Sequence, residues 1–172
     1  MEIYKFKMTC AAVIGQGYVG LPLAINMSSV NIKTYGLDKN IKLIEKLKIG
    51  ENFGHNSHYL LNNEAETKKL YIPTTNLEVL SQADVWVVCL PTPLDSKGNP
   101  DLKIIFDFVD SAAKYVKRET LICFESTWSP RFTRKLINHL VNLNKIFLDC
   151  DFVFSPERID PLNEKWDVKN TP

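Results

Sequence analysis

The chain has 172 residues, enough for one domain that buries about two-thirds of the surface its unfolded form would expose. Hydrophobic residues make up 45% and charged residues 24%, and 21 basic against 20 acidic side chains leave a net charge of +1. This composition is globular and gives no electrostatic case for nucleic acid. No apolar run reaches the roughly 18 residues of a membrane span, and residues 1–9 lack a signal peptide's apolar core. We therefore expect a cytoplasmic protein with neither nucleic acid nor a membrane as partner.

The first predicted elements are a strand, a helix and a second strand. Residues 8–14 form an apolar run of strand length, and three glycines separate it from the next periodic stretch. There, Val19, Leu23 and Met27 recur at a spacing of four, which predicts a helix. Residues 32–37 then predict a second strand. Together these elements make a βαβ unit, in which the two strands are parallel.

A second helix is predicted over residues 38–50. Asp38 or Asn40 caps its start, and Gly50 ends it. Asn31 lies just before the second strand, where a helix commonly ends with a left-handed residue. Asparagine tolerates that conformation better than other non-glycine residues.

Short apolar runs and amphipathic stretches alternate through the rest of the chain. Such alternation indicates a parallel sheet with helices on both faces. We find no internal repeat and no low-complexity linker, so residues 1–172 are interpreted as one α/β domain, a doubly wound parallel sheet in three αβα layers. The predicted strands are residues 71–76, 84–90, 120–125 and 145–154, the last as one strand or two; the predicted helices are residues 77–83, 101–119 and 131–141, with a loop and a helix within residues 51–70.

Residues 15–20 have the spacing GxGxxG between the first predicted strand and helix. In dinucleotide-binding Rossmann folds, glycines placed as Gly15, Gly17 and Gly20 permit the tight turn, admit the pyrophosphate and let the helix approach the strand. The helix N-terminus favours negative charge through its free amides and dipole. A glycine turn with a purely structural role is the alternative. The candidate cofactor-binding residues here are Gly15, Gln16, Gly17, Tyr18, Val19 and Gly20.

Asp38 strengthens the dinucleotide hypothesis. It lies eighteen residues after Gly20, at the end of the second predicted strand, where a carboxylate accepts hydrogen bonds from the adenosine ribose. The same carboxylate repels a 2′-phosphate, so the sequence favours NAD over NADP. The alternative is a plain helix-capping aspartate, and we interpret the nearby Lys39 and Lys42 as helix-surface charges.

Three further segments follow predicted strands, at the strand ends where such folds bind ligands. Taken singly, each segment also fits a purely structural role: a rigid proline turn, a helix-capping hydroxyl or a surface ion pair. Glu157 beside Arg158 is suited to positioning a polar substrate or a water molecule. The segments are Pro91-Thr92-Pro93, Glu125-Ser126-Thr127 and Ser155-Pro156-Glu157-Arg158.

The cysteines and histidines show no ligand spacing. Every cysteine lies in or beside a strand-like run, and no CxxC pair occurs, so we expect reduced core thiols and no metal site. The histidines are interpreted as incidental. These residues are Cys10, Cys89, Cys123, Cys150, His55, His58 and His139.

Several stretches resemble the N-terminal domain of the UDP-glucose/GDP-mannose dehydrogenase family. They are "GQGYVGLPLA", "YGLDKNIKLIEKLKIGEN", "CLPTPLDSKGNPDL", "EST" and "SPERIDPLN". Within the family, the sequence is most similar to UDP-N-acetylglucosamine and UDP-N-acetylmannosamine 6-dehydrogenases of surface-polysaccharide synthesis. The resemblance implies an NAD-dependent, two-step oxidation of the sugar C6 alcohol to a carboxylate, with a cysteine carrying the sugar between two hydride transfers.

The resemblance also implies roles for individual residues. Asp38 would bind the adenosine ribose, and Thr127 would act both at the cofactor and in catalysis. Glu157 would lie beside the UDP-sugar and order catalytic water, with Arg158 in the same substrate-binding signature. Gly15, Gly17, Tyr18, Val19 and Gly20 would meet the pyrophosphate, and Pro91, Thr92 and Thr127 would line the nicotinamide half.

The resemblance departs from the family pattern at three positions. Arg131 and Phe132 stand where the family has glycine and threonine after "EST", and Leu162 replaces a glycine after "SPER". A glycine lost near a ligand removes room for close backbone approach. The sequence therefore leaves open whether NAD fits on that side.

The family's catalytic cysteine, lysine and asparagine lie downstream, with a central helix, the UDP-sugar domain and the main dimer-forming segments. We therefore expect a C-terminally truncated domain that is inactive alone. The sequence does not decide whether it forms a homodimer. A binding or interaction module without catalysis is the alternative function. A hydroxyacid or phosphogluconate type of Rossmann dehydrogenase is a third, against which "GYVGLPLA" and "SPER" both argue.

Overall fold

The computed structural model describes residues 8–50, 67–96, 98 and 100–156. Its described part contains a six-stranded sheet in the order β3-β2-β1-β4-β5-β6, with every neighbouring pair parallel. The order reverses between β1 and β4, which is where doubly wound sheets open a ligand crevice. The strands are β1 Cys10–Ile14, β2 Lys33–Leu37, β3 Tyr71–Thr74, β4 Val85–Val88, β5 Leu121–Phe124 and β6 Asp151–Phe154.

Helices connect these strands and cover both faces of the sheet. In the described residues, none of them combines the length and the apolar character needed to span a bilayer. The helices are α1 Gly20–Ser29, α2 Ile41–Lys48, α3 Thr67–Leu70, α4 Lys103–Ala112 and α5 Pro130–Leu143, with 3₁₀ segments at Leu77–Gln82, Ala113–Tyr115 and Lys145–Asp149.

Strand β1 shows how the sequence builds three layers. All five of its residues are buried, and alternate side chains point to opposite faces. Ala11 and Val13 belong to the core formed with α1 and α2, whereas Ala12 and Ile14 belong to the core formed with α4 and α5. The predicted doubly wound αβα architecture is confirmed.

The local signals at the helix ends have their predicted geometry. Asn40 caps α2, because its Oδ1 accepts from the Leu43 amide at 3.2 Å. Asn31 after α1 adopts φ 65°, and Gly50 after α2 adopts φ 78°. Of the two candidate caps, Asn40 is therefore the one used, and the Asp38 carboxylate is available for another contact.

The prediction for residues 145–154 is wrong in its first half. Lys145–Asp149 is a 3₁₀ segment, and only Asp151–Phe154 is a strand. Asn144 starts the segment by accepting from the Ile146 amide. Phe147 then reaches the core, 1% exposed, with its ring edge-on to Trp86 at 6.4 Å.

The prediction of a continuous helix over residues 101–119 is also too long. Helix α4 ends at Ala112, and a 3₁₀ segment follows to Tyr115. Glu119 has φ 63°, a left-handed turn that no helix continues through. The loop and helix predicted within residues 51–70 lie mostly outside the described residues, apart from α3.

Helix α5 offers a test of this core. Leu136 is fully buried under the sheet, so we expect Leu136→Ala to lower the free energy of unfolding by about 2–5 kcal/mol. Lys135→Ala, at the exposed neighbouring position, serves as the control and should change it by less than about 0.5 kcal/mol. Urea unfolding followed by circular dichroism measures both, and equal effects would contradict this packing.

Candidate functional site

A cavity of about 840 Å³ opens at the carboxyl ends of β1, β2, β4 and β5. Its volume lies within the usual range for small-molecule and cofactor sites. It spans the β1/β4 switch point, so the loops after several strands meet around it. Eight of the predicted site residues line it: Gly15, Gly17, Tyr18, Val19, Asp38, Pro91, Thr92 and Thr127.

The other predicted site residues lie elsewhere. Gln16 is 2% exposed, and its side chain is in the interior rather than in the cavity wall. Gly20 is buried as the first residue of α1, also outside the wall. These two residues therefore shape the loop that lines the cavity without lining it themselves. Glu157 and Arg158 lie outside the described residues.

The three glycines have different steric surroundings. A Cβ on Gly15, which has φ 90°, would lie 2.7 Å from the Cys89 carbonyl oxygen, and one on Gly20 would lie 1.8 Å from the Gly15 carbonyl oxygen. Both residues must be glycine for the backbone to pack. A Cβ on Gly17 would meet no protein atom within 4 Å. The fold therefore does not require Gly17, which faces the space a ligand would use.

The start of α1 carries no capping side chain and no acidic residue in its first turn. Helix α2, by contrast, is capped by Asn40. Pro22, in the first turn of α1, brings no N–H that needs a partner. The uncapped end adjoins Gly17, Tyr18 and Val19 in the cavity wall. Leu21 and Leu23 already donate their amides to the Gly17 and Val19 carbonyls, so the amides that suit the phosphates of a dinucleotide are those of the loop before them.

The Asp38 carboxylate is held at the cavity wall by two backbone amides. Its Oδ2 accepts from the Gln16 amide at 2.8 Å, and its Oδ1 accepts from the Asn40 amide at 2.9 Å. A carboxylate has about four acceptor positions, so two contacts leave capacity for ligand hydroxyl groups. Lys39, interpreted from sequence as a helix-surface charge, also lines the cavity.

The loops after β4 and β5 are tied to each other. The Thr92 hydroxyl donates to the Thr127 carbonyl at 2.9 Å, and the Ser126 hydroxyl donates to the Leu90 carbonyl at 2.6 Å. Thr127 itself is exposed in the cavity wall. The Ser126 hydroxyl therefore links the two loops and is not a helix cap.

The substitutions after "EST" do not narrow the cavity. Neither Arg131 nor Phe132 lines it. Phe132 instead packs edge-on against Phe106 and Trp128, with ring centroids 5.5 and 5.9 Å apart. An aromatic cluster on the α4–α5 side therefore accommodates the added bulk. Leu162 lies outside the described residues.

None of the four cysteines forms a disulfide in the described part of the chain, and Cys10 is the one that is buried. The Cys123 thiol donates to Glu125 Oε1 at 3.1 Å; burial and this hydrogen bond raise its pKa to about 12. Burial likewise raises the pKa of Cys10 and Cys150. Such thiols are protonated and poorly nucleophilic at neutral pH. In the described residues, no cluster of three His, Cys, Asp or Glu side chains could hold a metal.

Sequence reasoning missed part of the cavity wall. Ile104 and Phe108 of α4 line it together with Leu77, although their helical spacing of four was a signal for one shared face. It also missed Gly36, at which a Cβ would lie 2.6 Å from Gln16 Oε1. A glycine inside a predicted strand is the signal for such a close approach.

Comparison with known proteins decides the family. Residues 8–172 match the UDP-glucose/GDP-mannose dehydrogenase family, NAD binding domain. The chain belongs to this family. This confirms the resemblance of the motifs and the prediction of NAD as the cofactor of the domain.

The relatives of this NAD-binding domain are much longer proteins. Protein CapL of Staphylococcus aureus is 33% identical over 153 residues, which cover 87% of this chain and 35% of CapL. UDP-N-acetyl-D-glucosamine 6-dehydrogenase of Salmonella typhi is 29% identical over 162 residues, 92% of this chain and 37% of that protein. The solved UDP-D-ManNAc dehydrogenase of Pyrococcus horikoshii matches with TM-score 0.76 and 28% identity, over 88% of this chain and 37% of that chain. The chain thus spans little more than a third of each.

The glycines of the domain provide a paired test. Gly17→Ala should leave the unfolding transition unchanged and weaken NAD binding at least tenfold, about 1.4 kcal/mol, because the new methyl occupies the pyrophosphate's approach. Gly20→Ala should lower the free energy of unfolding by about 1–3 kcal/mol or more, because its methyl meets the Gly15 carbonyl. Thermal unfolding and titration calorimetry separate the two effects. Loss of stability in Gly17→Ala would contradict this assignment.

Proposed function

We propose that this chain is the cofactor-binding part of a nucleotide-sugar 6-dehydrogenase that acts on a UDP-N-acetylhexosamine. The observation that carries the proposal is the meeting of an uncapped helix start and an anchored carboxylate in one cavity, Gly17 beside Asp38. One group suits phosphate and the other suits a ribose hydroxyl. The names of the relatives, which are UDP-N-acetyl-sugar dehydrogenases, support this substrate class.

The residues of the wall fit NAD in a definite direction. The loop at Gly17 and Tyr18 binds the pyrophosphate through its backbone, and Asp38 accepts from the adenosine ribose. The nicotinamide half then extends across the switch point towards the loops of β4 and β5, where Thr92 and Thr127 lie. When bound, NAD supplies the hydride acceptor for oxidation of the sugar C6 alcohol.

The catalytic and substrate roles follow the family motifs. Thr127 lies in the wall near the nicotinamide half and is our candidate for contact with the reacting groups. Glu157 orders catalytic water, and Arg158 orients the UDP-sugar. The remaining parts of the proposal rest on the relatives. Residues 1–172 form one domain, which works in the cytoplasm in polysaccharide biosynthesis. The protein forms a homodimer, to which segments such as those of the longer relatives contribute.

A second function, cofactor binding without catalysis, is favoured by two observations. The alignment covers 35% of CapL and 37% of the Salmonella typhi enzyme. Burial raises the pKa of the Cys10, Cys123 and Cys150 thiols, so these three are poor nucleophiles at neutral pH. We therefore propose that these 172 residues alone bind NAD and do not turn it over.

The Asp38 role has a direct test. Asp38→Ala should weaken NADH binding roughly tenfold or more, since a hydrogen bond to a charged acceptor contributes about 1.5–3 kcal/mol. It should also reduce the preference for NADH over NADPH, because the repelling charge is gone. Asp110→Ala removes an exposed carboxylate outside the cavity wall and is the control. Fluorescence titration of the native chain and both variants with NADH and NADPH measures these affinities, and unchanged NADH binding in Asp38→Ala would overturn the proposal.

The activity of the isolated chain is tested by turnover. The purified 172-residue protein, given NAD and a UDP-N-acetylhexosamine, should bind NAD. It should show no rise in the ultraviolet absorbance of NADH over several hours. Adding the C-terminal part of a longer relative as a separate chain is the informative comparison. Steady NADH production by the isolated chain would eliminate the binding-only function.

A further inference from the structure

A buried hydrogen-bonded pair, Gln16 and Tyr71, lies behind the cavity wall. The Tyr71 hydroxyl donates to Gln16 Oε1 at 2.8 Å, and Gln16 Nε2 donates to the Val13 carbonyl at 2.9 Å. Gln16 is 2% exposed and Tyr71 is 6% exposed. Polar side chains are costly to bury unless their hydrogen bonds are satisfied. This pair is satisfied, so it joins the glycine loop to β3 in a fixed geometry.

Strand β2 leaves room for the pair. Gly36 pairs with Val13 on one side and with Pro73 on the other. A Cβ at Gly36 would lie 2.6 Å from both Gln16 Oε1 and Tyr71 Cε2. The missing side chain therefore lets Gln16 and Tyr71 meet above the middle of β2.

The pair is connected to Asp38 through one backbone amide. Gln16 donates that amide to Asp38 Oδ2 at 2.8 Å. The Asn40 amide holds Oδ1 from the other side. Because Gln16 is anchored by its own side chain, the direction of its amide is fixed. The plane of the Asp38 carboxylate is consequently fixed as well.

We propose that Tyr71 and Gln16 are positioning residues for recognition of the adenosine ribose, holding the Asp38 carboxylate in the orientation that accepts from the ribose 2′-hydroxyl. This inference rests on the proposed function, since it requires NAD in the cavity. Neither side chain lines that cavity, so both act through Asp38. Burial, and then the nearby Asp38 charge, raise the pKa of Tyr71 far above its usual value. The phenol is therefore a permanent donor.

The test measures how strongly the chain prefers NAD to an analogue without the ribose hydroxyl, and not the affinity for NAD alone. Titration calorimetry compares NAD with its analogue lacking the adenosine 2′-hydroxyl, in the native chain and in Tyr71→Phe. In the native chain we expect NAD to bind about tenfold more tightly than the analogue. In Tyr71→Phe we expect the ratio to fall below about threefold, because the carboxylate is no longer held towards the hydroxyl.

A second tyrosine provides a matched control. Tyr35 is also 6% exposed, and its hydroxyl donates to Gln82 Oε1 at 2.6 Å. Neither residue lines the cavity. Tyr35→Phe therefore removes a tyrosine–glutamine hydrogen bond at another place in the sheet, one whose glutamine is exposed. We expect it to lower the thermal midpoint less than Tyr71→Phe, because Gln82 can bond to water instead, and to keep the full tenfold discrimination.

The double variant Gln16→Met/Tyr71→Phe covers the case in which Tyr71→Phe fails to fold. Replacing both partners by apolar side chains removes the Tyr71 donor and the Gln16 acceptor together, so neither is left buried without the other, and the discrimination should again be lost. Retention of tenfold discrimination in either folded variant would overturn the positioning role while leaving the proposed function intact. Failure of the native chain to bind NAD at all would overturn both proposals.

Discussion

The contact between the start of α1 and the loop before it is the constraint on which the site depends. A Cβ on Gly20 would lie 1.8 Å from the Gly15 carbonyl oxygen, and Gly15 is itself pressed against the Cys89 carbonyl. Backbone therefore packs on backbone from β4 through the loop to α1. No side-chain rearrangement relieves such a contact, so the position of the helix start relative to the sheet is set by the two glycines.

The same loop is fixed from its other side by polar contacts. Gly15 donates its amide to the Leu37 carbonyl at 2.8 Å, and Gln16 reaches both Asp38 and Tyr71. The groups suited to phosphate and those suited to ribose thus belong to one rigid unit spanning β1, β2 and β3. A binding site arranged before its ligand arrives loses less conformational entropy on binding.

The sequence was sufficient for those features that depend on neighbours in the chain. Buried runs and helical spacing predicted the sheet and its layers, and GxGxxG with Asp38 predicted where the cavity would open. Tertiary contacts decided the rest. Residues 145–149 are 3₁₀ because Phe147 packs against Trp86, and Gln16 lies inward because it meets Tyr71, 55 residues away. Periodicity contains no information about either contact.

The anchoring of Asp38 also bears on the choice between NAD and NADP. A carboxylate on a freely rotating side chain could turn towards solvent when a 2′-phosphate approached, and Lys39 beside it would then favour the phosphate. Asp38 would have to give up amide hydrogen bonds on both oxygens to turn in this way. Such charge-assisted bonds are stronger than neutral ones. In the role proposed for Asp38, the contacts that orient it for a ribose hydroxyl are therefore the same contacts that oppose a phosphate.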